Sequence, residues 1–548
     1  MAEYDFVIVG AGSAGCVLAN RLSADGKHRV LLLEAGGSDA SLWIWMPIGY
    51  GKTFYRKSVN WMYQSQPDAG LNGRVSYWPR GKVMGGSSSI NAMVYVRGQP
   101  EDFEDWKAMG NPGWGWDDVL PYFRKSETND RGADTWRGGE GPLHVATMDR
   151  YLHPLCQEFI RAGEQIQVPH NPDFNGARQE GIGTYQNTAK DGMRMSTARA
   201  YIRPARGRAN LRIERRAMAT RLIFEGTRAI GVEYRQNGKT RRAMAAREVI
   251  VSAGAVNSPQ LLQLSGVGPG ALLREHGLDV VQDTPGVGQH LQDHLGMDFL
   301  YRSKRPTLNN QLHSWHGKLW QGLRYVLTRG GPLSLGVNQG GGFVRTRPGL
   351  TRPNMQLFFS PVSYTKAPPG KRPLMNPDPF PGFLIGTQPT RPTSRGHIEI
   401  ASPDPFKPPA IHPNYLSTEF DMQEQVEGLR FIRKLAAAPA LADIIEAEIA
   451  PGPEVESDEA LAADVRARAG TVFHPVSTCR MGPDPRVDVV DARLRVYGLQ
   501  GLRVVDASVF PTLTSGNTNA PTIMVGEKGA DMILEDARNH AEARHVHG

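Results

Sequence analysis

The sequence predicts an α/β protein: a doubly wound, Rossmann-like dinucleotide-binding domain, interrupted by a second domain with an antiparallel sheet and flanking helices. Three observations carry this reading. The chain opens on strand, glycine turn, helix and strand within about thirty residues. Strand-to-helix crossings through small residues recur at 248–268 and 501–531. From about residue 295, continuous apolar runs give way to alternating ones broken by proline. A chain of 548 residues also exceeds what one core serves. The expected boundaries are 1–155, 207–294 and 467–535 for the dinucleotide domain, 156–206 and 295–466 for the second, and 536–548 for a flexible tail.

The opening unit runs from Asp5 to Gly37. Phe6 to Val9 and Arg29 to Leu33 are short apolar runs suited to strands buried on both faces of a parallel sheet. Between them Gly10, Gly12 and Gly15 give G-x-G-x-x-G: a tight turn, a backbone that a pyrophosphate can approach, and close packing of helix on strand. The positive end of the helix then faces the phosphates. Glu34 ends the second strand about twenty residues beyond Gly15, where a carboxylate accepts from a ribose 2′-OH. No Arg follows it directly, which disfavours NADP; the pattern does not separate NAD from FAD.

With 40% hydrophobic and 22% charged residues the chain has the composition of a globular protein. It enters its first strand by about residue 5, leaving no room for a secretory signal, and has no run of about eighteen apolar residues. Cys16, Cys156 and Cys479 are widely spaced and odd in number, which suits a reducing compartment and gives no metal pattern. The expected location is cytoplasmic. The net charge of +8 is spread among interleaved acids, so no nucleic-acid partner is expected, while peripheral association with an anionic membrane at its inner face is compatible with it.

Residues 38–78 read as loop with short helix; Trp43, Trp45 and Trp61 pack or cover something. The stretch 79–98, PRGKVMGGSSSINAMVYVRG, offers a bare backbone with N–H and hydroxyl donors to a flat ligand. Residues 99–150 read as helix, turn and helix, then loop. LRIE and RLIF, followed by a turn at Glu225-Gly226 and a strand at Ile230 to Tyr234, suggest a hairpin-like excursion. NMQLFFSPV (354–362), GFLIGTQ (382–388) and GHIEIAS (396–402) look like half-exposed antiparallel strands, with a proline-rich loop from Ala367 to Pro381. Helices follow at 419–437 and 457–468, and a last one carries Pro521 in its first turn. The tail NHAEARHVHG reads as polar and disordered, its His540, His545 and His547 binding metal only adventitiously.

GKVMGGSSSIN (Gly81 to Asn91), GAVNSPQLLQLSGVG (Gly254 to Gly268), HPVSTCRMG and the NTNAPT segment resemble the signatures of the glucose–methanol–choline family of flavin oxidoreductases, a likeness running to about residue 535. The resemblance implies FAD. By it, Gly10, Gly12, Ser13, Ala14, Gly15, Glu34 and Ala35 hold the ADP half and Ala219 lies near the adenine. Gly85, Gly86, Ser89, Asn91, Ala92, Met93 and Val94 lie along the isoalloxazine, and Ala253, Gly254, Asp506, Ala507, Asn519 and Pro521 complete the contacts. Some members bond their flavin covalently through a His where this chain has Ile90, so noncovalent FAD is expected.

The resemblance also maps the catalytic pair to His474 and Asn517. A His with a pKa of about 6.5 can take an alcohol's proton while a hydride passes to flavin N5, and its imidazolium then stabilises the reduced flavin. Asn517 can donate to the substrate oxygen and orient it. Phe473 is either core or the aromatic wall of the substrate site. Ser477 departs from the pattern, standing where the family commonly has Gly.

The segment from Leu71 to Gly98 most resembles the branch acting on aliphatic, aromatic or polyethylene-glycol-type primary alcohols, with the choline-oxidising branch close behind. Trp61 is expected at the substrate site. Choline requires an aromatic cage and preferably a carboxylate; where that acid is sought, around 338–342, the chain offers Gln339. Electrons are expected to pass to a quinone-type acceptor. An oxygen-using oxidase and a non-redox cyanohydrin lyase on the same fold are the alternatives.

Overall fold

The computed structural model describes residues 4–364 and 376–546, with side chains to residue 539. Its first sheet has a parallel core ordered Leu211–Arg215, Val30–Glu34, Tyr4–Val9, Lys239–Val251 and Leu502–Val504. Val9 pairs with both Leu33 and Val251, and Val251 with Val504, so the carboxyl ends of three crossings finish together. That common edge is where a doubly wound sheet binds its ligand. The strand Lys239–Val251 outruns the others, and its first half carries the antiparallel hairpin Ala217–Glu225 and Arg228–Gln236. LRIE does not belong to this hairpin: Arg216, at φ +54°, turns the chain between the two and leaves Leu211–Arg215 in the parallel sheet.

The opening helix, Ser13–Leu22, packs on the last one, Asn519–Val546. A Cβ on Gly526 would lie 3.0 Å from the Cα of Ala14, and buried Glu527 accepts from Arg21 Nε and Nη2, each at 2.7 Å. Through Val546 this helix takes the place of the expected disordered tail. Polarity alone suggested disorder, but the helix runs on from its packed first half, and Arg493 pins it at Glu535 and Asp536.

The second sheet is antiparallel, ordered Ile445–Ala450, Leu295–Ser303, Gly382–Pro389, Met355–Ser360, Gly340–Val344 and Gly181–Thr184. Gly470–Thr471 pairs with the start of Leu295–Ser303 and delivers the chain to His474. Two of the strands expected to be half-exposed are not: Met355–Ser360 is almost wholly buried and Gly382–Pro389 is buried along its whole length. The helix Glu419–Ala436 packs on it, while Met297, Phe358 and Thr387 of the sheet wall a cavity. Residues 396–402 lie outside this sheet, in a ribbon of His397–Glu399 with Ala410–His412. Most of the Ala367–Pro381 loop lies outside the described residues.

Candidate active site

Bare backbone builds one end of the cavity. Gly10 runs at φ +99°, and a Cβ there would stand 2.4 Å from the carbonyl oxygen of Ser252; one on Gly15 would stand 1.9 Å from that of Gly10. Helix and turn therefore fit only without side chains. Gly86 comes so near Gly12 that its Cβ would lie 2.7 Å from the Gly12 Cα. Ser13 Oγ donates to Asn519 Oδ1 at 2.8 Å, joining the starts of the first and last helices. Glu34 accepts the N–H groups of Ala11 and Gly36 at 2.9 and 2.7 Å, and burial pushes its carboxyl up to about 7 against those two bonds. Asp506 accepts from Gly254 N at 2.8 Å, Ser258 Oγ at 2.5 Å and Ser508 N at 2.8 Å.

These groups open on one continuous cavity of about 580 Å³. Of the residues expected at the cofactor, Gly10, Gly12, Ser13, Ala14, Glu34, Ala35, Gly86, Asn91, Ala92, Met93, Val94, Ala219, Ala253, Gly254, Asp506, Ala507 and Asn519 line it. Four stand behind the lining. Gly15 packs on Gly10, Gly85 turns at φ +87°, Ser89 Oγ donates to the Met84 carbonyl, and Pro521 is buried in the last helix. Gly254 offers open space where a Cβ would sit. A glycine cradle beside Glu34, continuous with a cavity that runs to His474, fits an extended dinucleotide.

His474, Asn517 and Phe473 line the other end; Trp61 also lines the cavity, with Lys82 Nζ 4.2 Å over its ring. Phe473 is held at φ +70°, its N–H on Thr471 Oγ1 at 2.8 Å and its carbonyl on Arg80 Nη2 at 2.7 Å. Such strain persists where surroundings over-determine it. Asp293 holds the next residue: its carboxylate accepts His474 N at 2.7 Å, with Tyr415 OH and Thr471 Oγ1 each at 2.5 Å. Burial pushes Asp293 up to about 6 and Arg80 down to about 10. Ser477, in the glycine position of the motif, stands at φ +74° with its hydroxyl buried and unpartnered, which explains the family's preference there.

The sequence reading missed His294. Its Nδ1 lies 3.0 Å from Nδ1 of His474, and its Nε2 lies 3.0 Å from the carbonyl oxygen of Thr390. A carbonyl only accepts, so His294 carries its proton on Nε2 and presents a lone pair at Nδ1. His474 must then donate from Nδ1, which leaves its own Nε2 as an acceptor. The opposite side agrees. Gln388 Nε2 donates to Gln356 Oε1 at 2.9 Å, and Gln356 Nε2 to Asn517 Oδ1 at 3.3 Å, so Asn517 turns its amide hydrogens to His474 Nε2 at 3.1 Å. The network assigns the tautomers with one polarity throughout. Burial, then His294 and Arg80, hold His474 well below its usual pKa, and burial holds His294 down to about 4. Both rings are neutral at pH 7. The site presents a base with its lone pair facing an amide donor.

Gln339 does not reach the cavity. Its side chain turns to the start of the helix Leu155–Gln165, where Oε1 accepts His153 N at 2.8 Å, and Asn338 lines the cavity instead. In the extended backbone leading into the strand Gly340–Val344, neighbouring side chains point to opposite faces. A carboxylate does line the cavity, from another strand: Asp298 on Leu295–Ser303, whose charge raises the pKa of nearby Tyr364 in addition to the effect of burial.

Family models for GMC oxidoreductases match residues 4–296 and 392–526. The chain belongs to the GMC oxidoreductase family. Its members and structural neighbours are FAD-binding flavoenzymes, so the dinucleotide left open by the opening turn is FAD. Among relatives, an oxygen-dependent choline dehydrogenase of Photobacterium profundum is 45% identical over 97% of this chain and 93% of its own. An alcohol dehydrogenase [acceptor] of Pseudomonas putida is also 45% identical, over 97% and 96%. The crystal structure of pyridoxine 4-oxidase from Mesorbium loti has a TM-score of 0.87 at 32% identity, covering 96% of this chain and 98% of that one. No described helix is long and apolar enough to cross a membrane.

Proposed function

We propose that this GMC oxidoreductase oxidises a primary alcohol to an aldehyde and passes the two electrons to a quinone-type acceptor. The observation that carries the chemistry is the fixed tautomer of His474: a neutral imidazole at the cavity wall whose Nε2 lone pair is held by the Asn517 amide. FAD, held noncovalently because Ile90 at the cavity wall offers no nucleophile, supplies the hydride acceptor. An alcohol hydroxyl that enters in place of the His474–Asn517 hydrogen bond gives its proton to His474 Nε2 and keeps its oxygen on Asn517 Nδ2. His474 leaves the step as an imidazolium beside the electron-rich product state. His294 accepts from Nδ1 throughout and keeps the ring from turning.

Choline remains the second reading, favoured by Asp298 and by Tyr50, Phe54 and Tyr364 around the same cavity, which offer a carboxylate and aromatic faces to a quaternary ammonium. The P. putida relative's name supports the alcohol reading and that of P. profundum supports choline. The test is an anaerobic absorbance titration of the holoenzyme with benzyl alcohol, a medium-chain alkanol, a polyethylene glycol and choline, followed by air or a quinone. Bleaching by one of the first three, with fast recovery only on adding quinone, is the expected result. Bleaching by choline alone selects the second reading, fast recovery in air makes an oxidase, and no bleaching by any of the four overturns both substrate readings.

A further inference from the structure

The helix Trp315–Thr328 wears its apolar side outward. Trp315 is 77% exposed, Leu319 65%, Trp320 63%, Leu323 49%, Val326 55% and Leu327 73%. At 100° per residue all six fall within an arc of about 140°, a full amphipathic stripe. The side turned to the protein is polar at its tips: Tyr325 OH donates to the Gly192 carbonyl at 3.0 Å, and Gln321 Nε2 to Gln311 Oε1 at 3.2 Å. A stripe this large on a soluble face marks an interaction surface.

The charge around it decides what covers it. Residues 299–377 contain twelve Lys and Arg and no Asp or Glu, so the rest of the chain holds 51 basic against 55 acidic residues. Five of the twelve, Arg302, Arg305, Arg345, Arg347 and Arg352, pair with acids from elsewhere in the chain, so the basic charge at this face is that of the helix itself. Lys318, Arg324 and Arg329 lie along the helix and at its end. Tryptophans at the apolar edge with basic residues beside them suit a helix lying in the plane of a lipid headgroup layer. Two copies of this face would set the same basic residues against one another.

We infer that this helix docks the enzyme on an anionic lipid leaflet. It packs on Leu308–Leu312 and Pro332–Ser334, and Leu308, Leu312 and Leu333 cluster with Tyr50, Val337 and Tyr364, which line the cavity. Docking here sets the cavity wall one layer from the lipid. Delivery of a lipid-dissolved acceptor by this route rests on the function proposed above; the docking itself does not.

The test is sedimentation of the holoenzyme with sucrose-loaded vesicles of phosphatidylcholine alone or with a third phosphatidylglycerol, comparing wild type with L319E/L327E. Wild type is expected to sediment with the anionic vesicles at low salt and to be released by about 0.5 M salt, with partition at least tenfold lower in the variant. Dye-linked turnover and flavin content in solution should be unchanged in the variant, and they report on the proposed chemistry separately. Equal partition of variant and wild type, or no wild-type binding at low salt, would overturn the inference. A concentration-dependent dimer without vesicles, lost in L319E/L327E, would assign the face to a second copy instead.

Discussion

Replacing His294 by Leu tests whether the tautomer of His474 is held from behind. The His474 Nδ1–H bond to His294 is buried, and His294 itself is fully buried. Removing the acceptor leaves a buried donor unpaired, at about 1–3 kcal/mol. The ring escapes that penalty only by moving its proton to Nε2, which removes the lone pair from the cavity. Either way the competent base is disfavoured by that amount, so kcat/KM should fall about 5- to 150-fold. Asn at the same position can place its Oδ1 near the lost Nδ1 and restore an acceptor, so H294N should recover a substantial part of the loss. The assay is steady-state turnover with a dye acceptor on flavin-loaded, folded protein. H294L with more than half of wild-type kcat/KM, or H294N as impaired as H294L, would refute the relay.

His474→Ala should fold, bind FAD and lose about 10²–10⁴ in turnover, read in the same assay. Because burial, His294 and Arg80 depress its pKa, His474 stays unprotonated as pH falls to 6.5; kcat/KM should be flat from pH 8 to 6.5 and bend only below that, as a pH–rate profile will show. Ser477→Gly removes a left-handed serine worth about 1–2 kcal/mol of strain and an unpaired buried hydroxyl, against about 0.5–1 kcal/mol of added unfolded-state entropy. A net gain of about 1 kcal/mol should appear in denaturant unfolding, without a change in turnover. Asp298→Asn should raise KM for choline at least tenfold and leave that for benzyl alcohol within about twofold, which steady-state kinetics on both substrates will decide.

What could be read from the chain was whatever is local. The opening strands, turn and helix sit within about thirty residues and are specified by neighbours, so Gly10, Gly12, Gly15 and Glu34 could be placed from spacing alone. His474 and Asn517 were legible only through a resemblance, since a His before a Pro has no meaning by itself. His294 gave no signal at all. It lies 180 residues before His474 and meets it because Gly470–Thr471 pairs with the start of Leu295–Ser303, a register set by tertiary packing.

Gln339 failed for a related reason. Of the segment 338–342 only Asn338 lines the cavity; in the extended run into Gly340–Val344 neighbouring side chains alternate, and Gln339 turns away to His153. A carboxylate at the cavity comes instead from Asp298, on a strand that is third in line from Gly340–Val344. The helix Trp315–Thr328 has the same lesson in reverse. Its sequence period is that of any amphipathic helix, and nothing in it says which face is inward. Tyr325 and Gln321, anchored on Gly192 and Gln311, turn that face to the protein and leave the apolar one out. Composition located the basic charge on the chain as a whole; only the fold puts Lys318, Arg324 and Arg329 beside two exposed tryptophans.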